Sequence, residues 1–429
     1  MVKLLIVADD FTGALDTGVQ FAAHGAATSV VTDPDYDFTK TAPGTQVLVL
    51  DAETRHLPPK DAYTVVHKVV AGALAAGVRY IYKKTDSALR GNIGAELTAV
   101  LDAAGADRMP FIPAFPKTRR TTQDGVHLID GVPVAESVFG QDPFEPVRHS
   151  RVADILAEQS QTAVTSRKPG DPAGDLPGIQ VFDAATDDDL LRIGWQLGAD
   201  GVRLSAGCAG FASVLAGLLA LEGQTPERPV LRKNFFVACG SVNPVTCRQL
   251  DTAEQAGFPR FRLSPEQKLL PQWLESDGCE SAVRLWLEAL RRNGRCILDS
   301  NDPEENSNAA RNFAAERGMN IEQVRVRISA ALGQLMKRLL DGGMDATLMC
   351  TGGDTLLALM RAVAVTELTP VCELATGVVL TYFVYQGKTY YIISKSGGFG
   401  EPDLLCRLAE LIGTGTKQKE DVSCLRNTI

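Results

Sequence analysis

The sequence predicts an α/β protein of two domains, each a mostly parallel sheet flanked by helices. Short apolar runs alternate with amphipathic stretches, the pattern of βαβ units. Several of those runs stop abruptly in clusters of Asp, Lys, Arg, Gly and Ser, as strands do whose carboxyl ends line a ligand site. The 429 residues also exceed what one core usually serves. The stretch Gly223-Gln224-Thr225-Pro226-Glu227-Arg228-Pro229 has the composition of a linker, which places the domains at 1–222 and 230–429.

The elements follow in order. Lys3 to Ala8 reads as a strand opening onto Asp9-Asp10-Phe11-Thr12-Gly13, and Ala14 to His24 as a helix with Leu15, Val19 and Ala22 at helical spacing. Thr28 to Thr32 and Thr45 to Leu50 are strands, the second emptying into Asp51-Ala52-Glu53-Thr54-Arg55-His56, and Pro58 opens a helix to about Ala76. The strand Val78 to Tyr82 runs into Lys83-Lys84-Thr85-Asp86-Ser87-Ala88-Leu89-Arg90-Gly91-Asn92 ahead of the helical Ile93 to Ala104. Met109 to Ile112 is a fifth strand, and Asp130-Gly131 marks a hairpin in an appended flap. Arg151 to Gln159 is helical, and Ser166 to Gly178, rich in proline and glycine, reads as an exposed loop. The alternation resumes with strand Ile179 to Phe182, helix Asp187 to Leu197, strand Val202 to Ser205 and helix Phe211 to Leu221.

Beyond the linker come strand Phe235 to Cys239, a Gly240-Ser241 turn and a helix from Pro244 to Gly257. Further strands are Cys296 to Asp299 and Thr347 to Cys350, the latter entering Thr351-Gly352-Gly353-Asp354-Thr355 and a helix Leu356 to Val363. Val378 to Tyr385 and Tyr390 to Ser394 flank a turn at Gln386 to Lys388, then Lys395-Ser396-Gly397-Gly398-Phe399-Gly400 precedes a helix from Pro402 to Ile412.

Composition narrows the chemistry. With 45% hydrophobic and 22% charged residues the chain is an ordinary globular one. A net charge of −9 argues against nucleic acid or an anionic membrane as partner. The nine cysteines form no CxxC pair and read as reduced thiols of a cytoplasmic protein. Metal-ligand spacing is absent, and no apolar run approaches the roughly 20 residues of a membrane span.

The charged strand ends of the first domain suggest a site for a small polar acid. Arg55 can fork onto a carboxylate, with Lys84 and Arg90 in support, one of the consecutive Lys83 and Lys84 being structural. Asp10 and Asp86 can hold a polyol, and either can accept a proton from an attacking hydroxyl. Asp9 is either a site residue or a helix cap. In the second domain three strand-end loops, Gly240-Ser241, Thr351 to Thr355 and Lys395 to Gly400, combine glycines with a following helix, a seat for phosphates. Asp354 either orients a metal beside the phosphates or caps its helix. No GxxxxGK[ST] and no intact GxGxxG occurs, so a dinucleotide-binding dehydrogenase is disfavoured. An acid pocket facing a phosphate cradle describes a small-molecule kinase with its active site in the cleft between two closing domains. A non-catalytic nucleotide and metabolite sensor is the alternative of another class.

Ala8-Asp9-Asp10-Phe11-Thr12-Gly13-Ala14, Lys84 through Asn92, Pro113-Ala114-Phe115-Pro116 with Arg120-Thr121-Thr122, Gly352-Gly353-Asp354-Thr355 and Lys395 through Gly400 together resemble the four-carbon acid sugar kinases. The resemblance implies ATP-dependent phosphorylation of D-threonate, D-erythronate or a 3-oxo-tetronate at the terminal hydroxyl, with Mg2+ accompanying the nucleotide. It implies that Asp10, Arg55, Lys84, Thr85, Asp86 and Ser87 serve the acid; the reading of the residues adds Arg90 to these and makes Asp10 and Asp86 the catalytic candidates. It also implies that Ser241, Gly352, Gly353, Asp354, Thr355, Gly397 and Gly398 serve ATP. A homodimer is compatible with it. Arg119, Ala88 and Thr376 depart from the family pattern, and Asp16-Thr17-Gly18-Val19-Gln20 looks most like the D-threonate branch.

Overall fold

The computed structural model describes residues 2–142, 145–171, 176–221, 223 and 229–413, and the chain divides into two compact units, Met1–Pro226 and Glu227–Ile429. Residues 224–228 of the expected linker lie outside the described residues.

The first unit carries strands β1 Leu4–Ala8, β2 Thr28–Val31, β3 Val47–Asp51, β4 Tyr80–Lys84, β5 Arg108–Ile112, β6 Arg120–Gln123, β7 Val126–Ile129, β8 Val132–Pro133, β9 Val164–Arg167, β10 Gly178–Phe182 and β11 Leu204–Gly207. Its helices are α1 Phe11–Ala22, α2 Pro59–Ala75, α3 Ile93–Ala104, α4 Val152–Ala157, α5 Asp187–Gly201 and α6 Ala209–Leu218. The main sheet runs β2-β3-β1-β4-β11-β5-β10-β9, and its pairings are parallel. Because β1, β3 and β4 are buried along their whole length, the apolar part of each is an unbroken run rather than an alternating one. Leu5, Val7, Leu48, Leu50, Val66, Val70, Leu97 and Val100 form the centre of the core, each such burial contributing roughly 1.5–3 kcal/mol.

Strand β4 ends two residues later than the apolar run suggests. Lys83 and Lys84 are inside it, which is possible because Lys83 Nζ meets Glu96 Oε2 at 2.9 Å, both groups fully buried. The flap β6-β7-β8 is antiparallel and turns twice on the same dipeptide, Asp124-Gly125 and Asp130-Gly131, with both residues of each at positive φ. The expected loop from Ser166 begins instead inside the edge strand β9, and residues 172–175 lie outside the described ones. Helix α5 extends past Leu197 across a kink at Gly198.

The second unit carries β12 Phe235–Cys239, β13 Arg260–Arg262, β14 Arg295–Asp299, β15 Thr347–Thr351, β16 Glu367–Ala375, β17 Val378–Tyr385 and β18 Lys388–Lys395, with helices α7 Pro244–Gln255, α8 Pro265–Leu269, α9 Asp277–Asn293, α10 Ala309–Ala315, α11 Ile321–Asp341, α12 Gly353–Ala362 and α13 Leu404–Gly413. The order is β13-β14-β12-β15-β18-β17-β16, parallel through β18 and antiparallel beyond. Helices α11 and α12 pack closely enough that a Cβ on Gly333 would lie 2.4 Å from the Ala358 carbonyl oxygen.

In each unit the first strand lies between the third and the fourth. That arrangement opens a crevice at the carboxyl ends of three neighbouring strands, the position at which open α/β sheets bind ligands.

Candidate functional site

At the crevice of the first unit, three strand ends bring their charges together. Arg55, after β3, donates from Nε to Asp9 Oδ2 at 2.8 Å, reaches Asp10 Oδ1 with Nη2 at 2.7 Å and stands 3.8 Å from Asp86 Oδ1. Arg90 grips Asp86 from the other side, Nε to Oδ2 at 2.8 Å and Nη2 to Oδ1 at 3.2 Å, and also reaches Asp142. Burial pushes the Asp86 carboxyl up, and Arg90, Arg55 and Arg120 outweigh it, holding the group well below the usual carboxylate range. Asp9 is held down in the same way by Arg55 and the two lysines against a large burial penalty.

Lys84 turns to the opposite side of the strand from Lys83. Its Nζ is 3.8 Å from Asp9 Oδ1 and packs against the start of α1, where a Cβ on Gly13 would come within 2.4 Å of it. Glycine at 13 therefore makes the seat of this ammonium. Asp10 caps α1 by accepting from the Gly13 N–H at 3.0 Å and is the most open of these carboxylates, 22% exposed. The cap is thus Asp10, and Asp9 is the buried ion-pair member.

A second layer fixes the first. The Asn92 amide donates to the carbonyls of Thr54 and Leu57 at 2.8 Å and of Arg55 at 3.3 Å, tying the β3 loop to the start of α3. Thr54 and Lys83 both bind Glu96 from within the core. Ser87 is held by Arg120 through its hydroxyl and by His127, whose Nε2–H donates to the Ser87 carbonyl at 2.8 Å. Burial pulls His127 down to about 4, so the imidazole is neutral, and its Nδ1 accepts from Thr122 at 3.1 Å. Two buried oxygens, Asp9 Oδ1 and Thr85 Oγ1, have no hydrogen-bond partner. Asp51 Oδ2 is a third, and burial together with Glu53 and Asp10 raises this carboxyl well above its ordinary value.

The crevice of the second unit is built from backbone and hydroxyls. Gly352, at φ +90°, precedes α12, and its N–H donates to the Lys395 carbonyl at 3.0 Å. A Cβ on Gly397 would lie 2.8 Å from Ser241 Oγ and 3.1 Å from Asn243 Cβ, so the turn after β18 passes directly over the turn after β12. Gly398 adjoins it, with Asn243 Nδ2 3.8 Å from where its Cβ would be. Asn243 caps α7 through the Val245 N–H at 2.9 Å. Asn301, after β14, donates to the Ser241 carbonyl at 3.1 Å and to Asp299 at 2.8 Å. Thr355 Oγ1 would meet a Cβ on Gly240 at 2.1 Å. These contacts bring Ser241, Gly352, Thr355, Gly397 and Gly398 together. Gly353 lies in the first turn of α12 with Asp354, which faces Arg325 on α11, while Gly352 occupies the cap position. Glycines that keep side chains out of such a cradle, beside the starts of two helices, suit a phosphate chain. Among the described residues no group of three His, Cys, Asp or Glu side chains could hold a metal ion.

The sequence quoted Gly13, Asn92 and Asp51 within its strand-end clusters without a role for them, and it missed His127 and Asn301. Their work is steric or second-layer, and a single small or amide residue in a loop carries no spacing signal for it.

Comparison with known proteins gives one match in each half of the chain. Residues 4–215 match the family described as a sugar-binding N-terminal domain, and 236–405 the one described as a nucleotide-binding C-terminal domain. A D-threonate kinase of Salmonella typhimurium is 30% identical over 94% of this chain and 97% of its own length. A D-threonate kinase of Bordetella bronchiseptica is 32% identical over 95% and 96%. A crystal structure from Salmonella typhimurium, described as a putative tRNA synthase, superposes with a TM-score of 0.78 at 21% identity over 95% of this chain and 99% of that one, a likeness of fold. The two domain matches and the full-length relatives show that the chain belongs to the four-carbon acid sugar kinase family.

Proposed function

We propose that the protein transfers the terminal phosphoryl group of ATP to the C4 hydroxyl of a four-carbon sugar acid, with D-threonate as the preferred substrate. The observation that carries the reading is the Asp9–Asp10–Arg55–Lys84–Asp86 cluster at the crevice of the first unit. Two full-length relatives named D-threonate kinase support the choice of substrate.

The residues take distinct parts. The Lys84 ammonium and the Arg55 guanidinium offer positive charge to the acid's carboxylate, and Thr85, Ser87 and Asp86 offer hydrogen bonds to its hydroxyls. Arg55 has already committed Nε and Nη2 to Asp9 and Asp10, so its fork orders the protein's own carboxylates as well. Of the two catalytic candidates, Asp10 is the one left accessible to a substrate hydroxyl. Asp86 is gripped by Arg90 at two points and held well below the usual carboxylate range, which makes it a weak base. Asp10 is the more open carboxylate, positioned by Arg55 and by its own cap bond.

ATP supplies the phosphoryl group. Ser241, Gly353 to Thr355, Gly397 and Gly398 would hold it through backbone N–H groups and hydroxyls, and Gly352, its own N–H bound to the Lys395 carbonyl, would turn the chain beside it, in the cradle that the close Gly397–Ser241 approach keeps free of side chains. Magnesium enters with the nucleotide, since such an ion keeps most of its ligands from phosphate and water and needs few from protein.

The test is turnover. Purified protein with ATP and magnesium should release ADP in the presence of D-threonate, with a lower kcat/KM for D-erythronate and 3-oxo-tetronates. Binding of ATP and a tetronate without turnover of any of them would establish a sensor instead.

A further inference from the structure

The charge under the nucleotide loop comes from an unexpected place. Lys395, the last residue of β18, is 1% exposed. Its Nζ lies 3.0 Å from Thr246 Oγ1, 3.0 Å from the Ser396 carbonyl and 3.1 Å from the Gly397 carbonyl. Thr246, in the first turn of α7, spends its own hydroxyl hydrogen on the Gly397 carbonyl at 2.8 Å, so it can only accept from the amine. Three acceptors match the three N–H bonds of an ammonium. A neutral amine has two and would leave one oxygen unmet.

The charged groups facing this amine are few. The Cys239 thiol on β12 is pushed up to about 12 by burial and stays neutral, and Asp299 on β14 is bound by Arg260 at 2.7 Å. On α7 the Gln249 amide donates to the Phe399, Gly400 and Glu401 carbonyls, and on β15 the Thr351 hydroxyl faces Cys239. Among the described residues no carboxylate pairs with Lys395. A buried cation without a counterion is costly, and burial accordingly pulls the Lys395 amine down to about 8.

Peptide geometry turns this clamp outward. In a trans peptide the C=O and N–H point in opposite directions. Pinning the Ser396 and Gly397 carbonyls on the amine therefore aims the N–H groups of Gly397 and Gly398 away from it.

We infer that Lys395 is the positioning residue of the nucleotide site: its ammonium fixes the Ser396–Gly398 turn with both glycine N–H groups presented to a phosphate, and its unpaired charge is answered by that phosphate. The inference rests on the nucleotide reading of the second unit. It makes nucleotide affinity a function of the protonation of Lys395. A bound polyphosphate raises the affinity of the amine for its proton, so ATP binds more weakly as pH rises through about 8.

Titration calorimetry of ATP with magnesium, from pH 7 to 9.5, tests this above the range where the phosphate itself titrates, about pH 6. The Kd should be level near pH 7 and rise by up to about tenfold per pH unit beyond 8. At pH 8.5 the heats in two buffers of different ionisation enthalpy should report net proton uptake. Lys395→Met should raise the Kd for ATP roughly 10- to 100-fold at pH 7.5, flatten the pH profile, and leave the KM for the sugar acid within about threefold. A purely structural lysine would leave the wild-type profile flat with no proton uptake, which overturns the assignment whether or not the variant folds. No ATP binding at any pH overturns the nucleotide reading and this inference with it, whereas binding that is independent of pH overturns the lysine assignment alone.

Discussion

The two units wind their sheets alike, β2-β3-β1-β4 in one and β13-β14-β12-β15 in the other, and fill the resulting crevices by opposite means. The first is lined by ionised side chains that neutralise one another: Arg55 between Asp9 and Asp10, Arg90 on Asp86, Lys84 near Asp9. The second is lined by backbone, glycine and hydroxyl, with the buried Lys395 amine beneath. One topology thus supports both a crevice lined by side-chain charge and one lined by main-chain dipoles. The difference teaches where each site is fragile, because side-chain networks fail by loss of a partner and backbone cradles fail by gain of an atom.

Arg55→Ala should give the largest effect. It strips the close partner from Asp9, a buried carboxylate, and removing one member of a buried pair costs about 3–5 kcal/mol. The KM for the acid should rise more than about 100-fold while the KM for ATP stays near wild type. Equal losses on both substrates would erase the contrast between the units, and denaturant unfolding would separate the stability cost from the binding cost.

Gly397→Ala probes the other failure. The new methyl would lie 2.8 Å from Ser241 Oγ, so ATP affinity should fall by about tenfold while the unfolding free energy changes by about 1 kcal/mol or less. An unchanged KM for ATP would show that the cradle tolerates filling and is not the nucleotide's seat.

The smallest effect sharpens the comparison within the first crevice. Asp51 is a carboxyl there whose value is raised well above the ordinary one, by burial first and then by Glu53 and Asp10. The unfolded group ionises near 3.9, so the folded protein binds the extra proton and stability falls as pH rises from about 4 upward. Asp51→Asn keeps the acceptor for the Glu53 N–H and removes that dependence. It should stabilise the fold by about 1 kcal/mol at pH 7, and the gain should vanish below about pH 4. Asp86 behaves in the opposite sense. Its carboxyl is held low, so its stabilising contribution is complete above about pH 4 and disappears as acid carries the pH below that value.

Legibility in the sequence followed the kind of signal. Fully buried parallel strands are unbroken apolar runs, so β1, β2, β3, β12 and β15 were readable to within two residues. The end of β4 was not, because Lys83 and Lys84 look like a loop until Glu96, on a different element, supplies the partner that lets Lys83 be buried. The sequence offered the cap to Asp9 and reserved Asp10 for the ligand, whereas Asp10 makes the cap, because which of the two caps α1 depends on a single N–H. Helices α9 and α11 left a clear trace in Val283, Trp286, Leu287 and Leu290 and in Leu332, Leu335, Met336 and Leu339, yet neither carries chemistry that draws attention. Strand β16 is interrupted by Pro370 and irregular in register, so its pattern is faint. Lys395 was noticed only for the glycines that follow it.

The Asn92 amide has one more implication. By holding three carbonyls of the Thr54–Leu57 segment while itself standing at the head of α3, it makes two stretches nearly forty residues apart in sequence into one mechanical part. Acceptor preference therefore cannot be transplanted by exchanging either stretch alone. A chimera would have to carry both, asparagine included, or arrive with its guanidinium pointing nowhere useful.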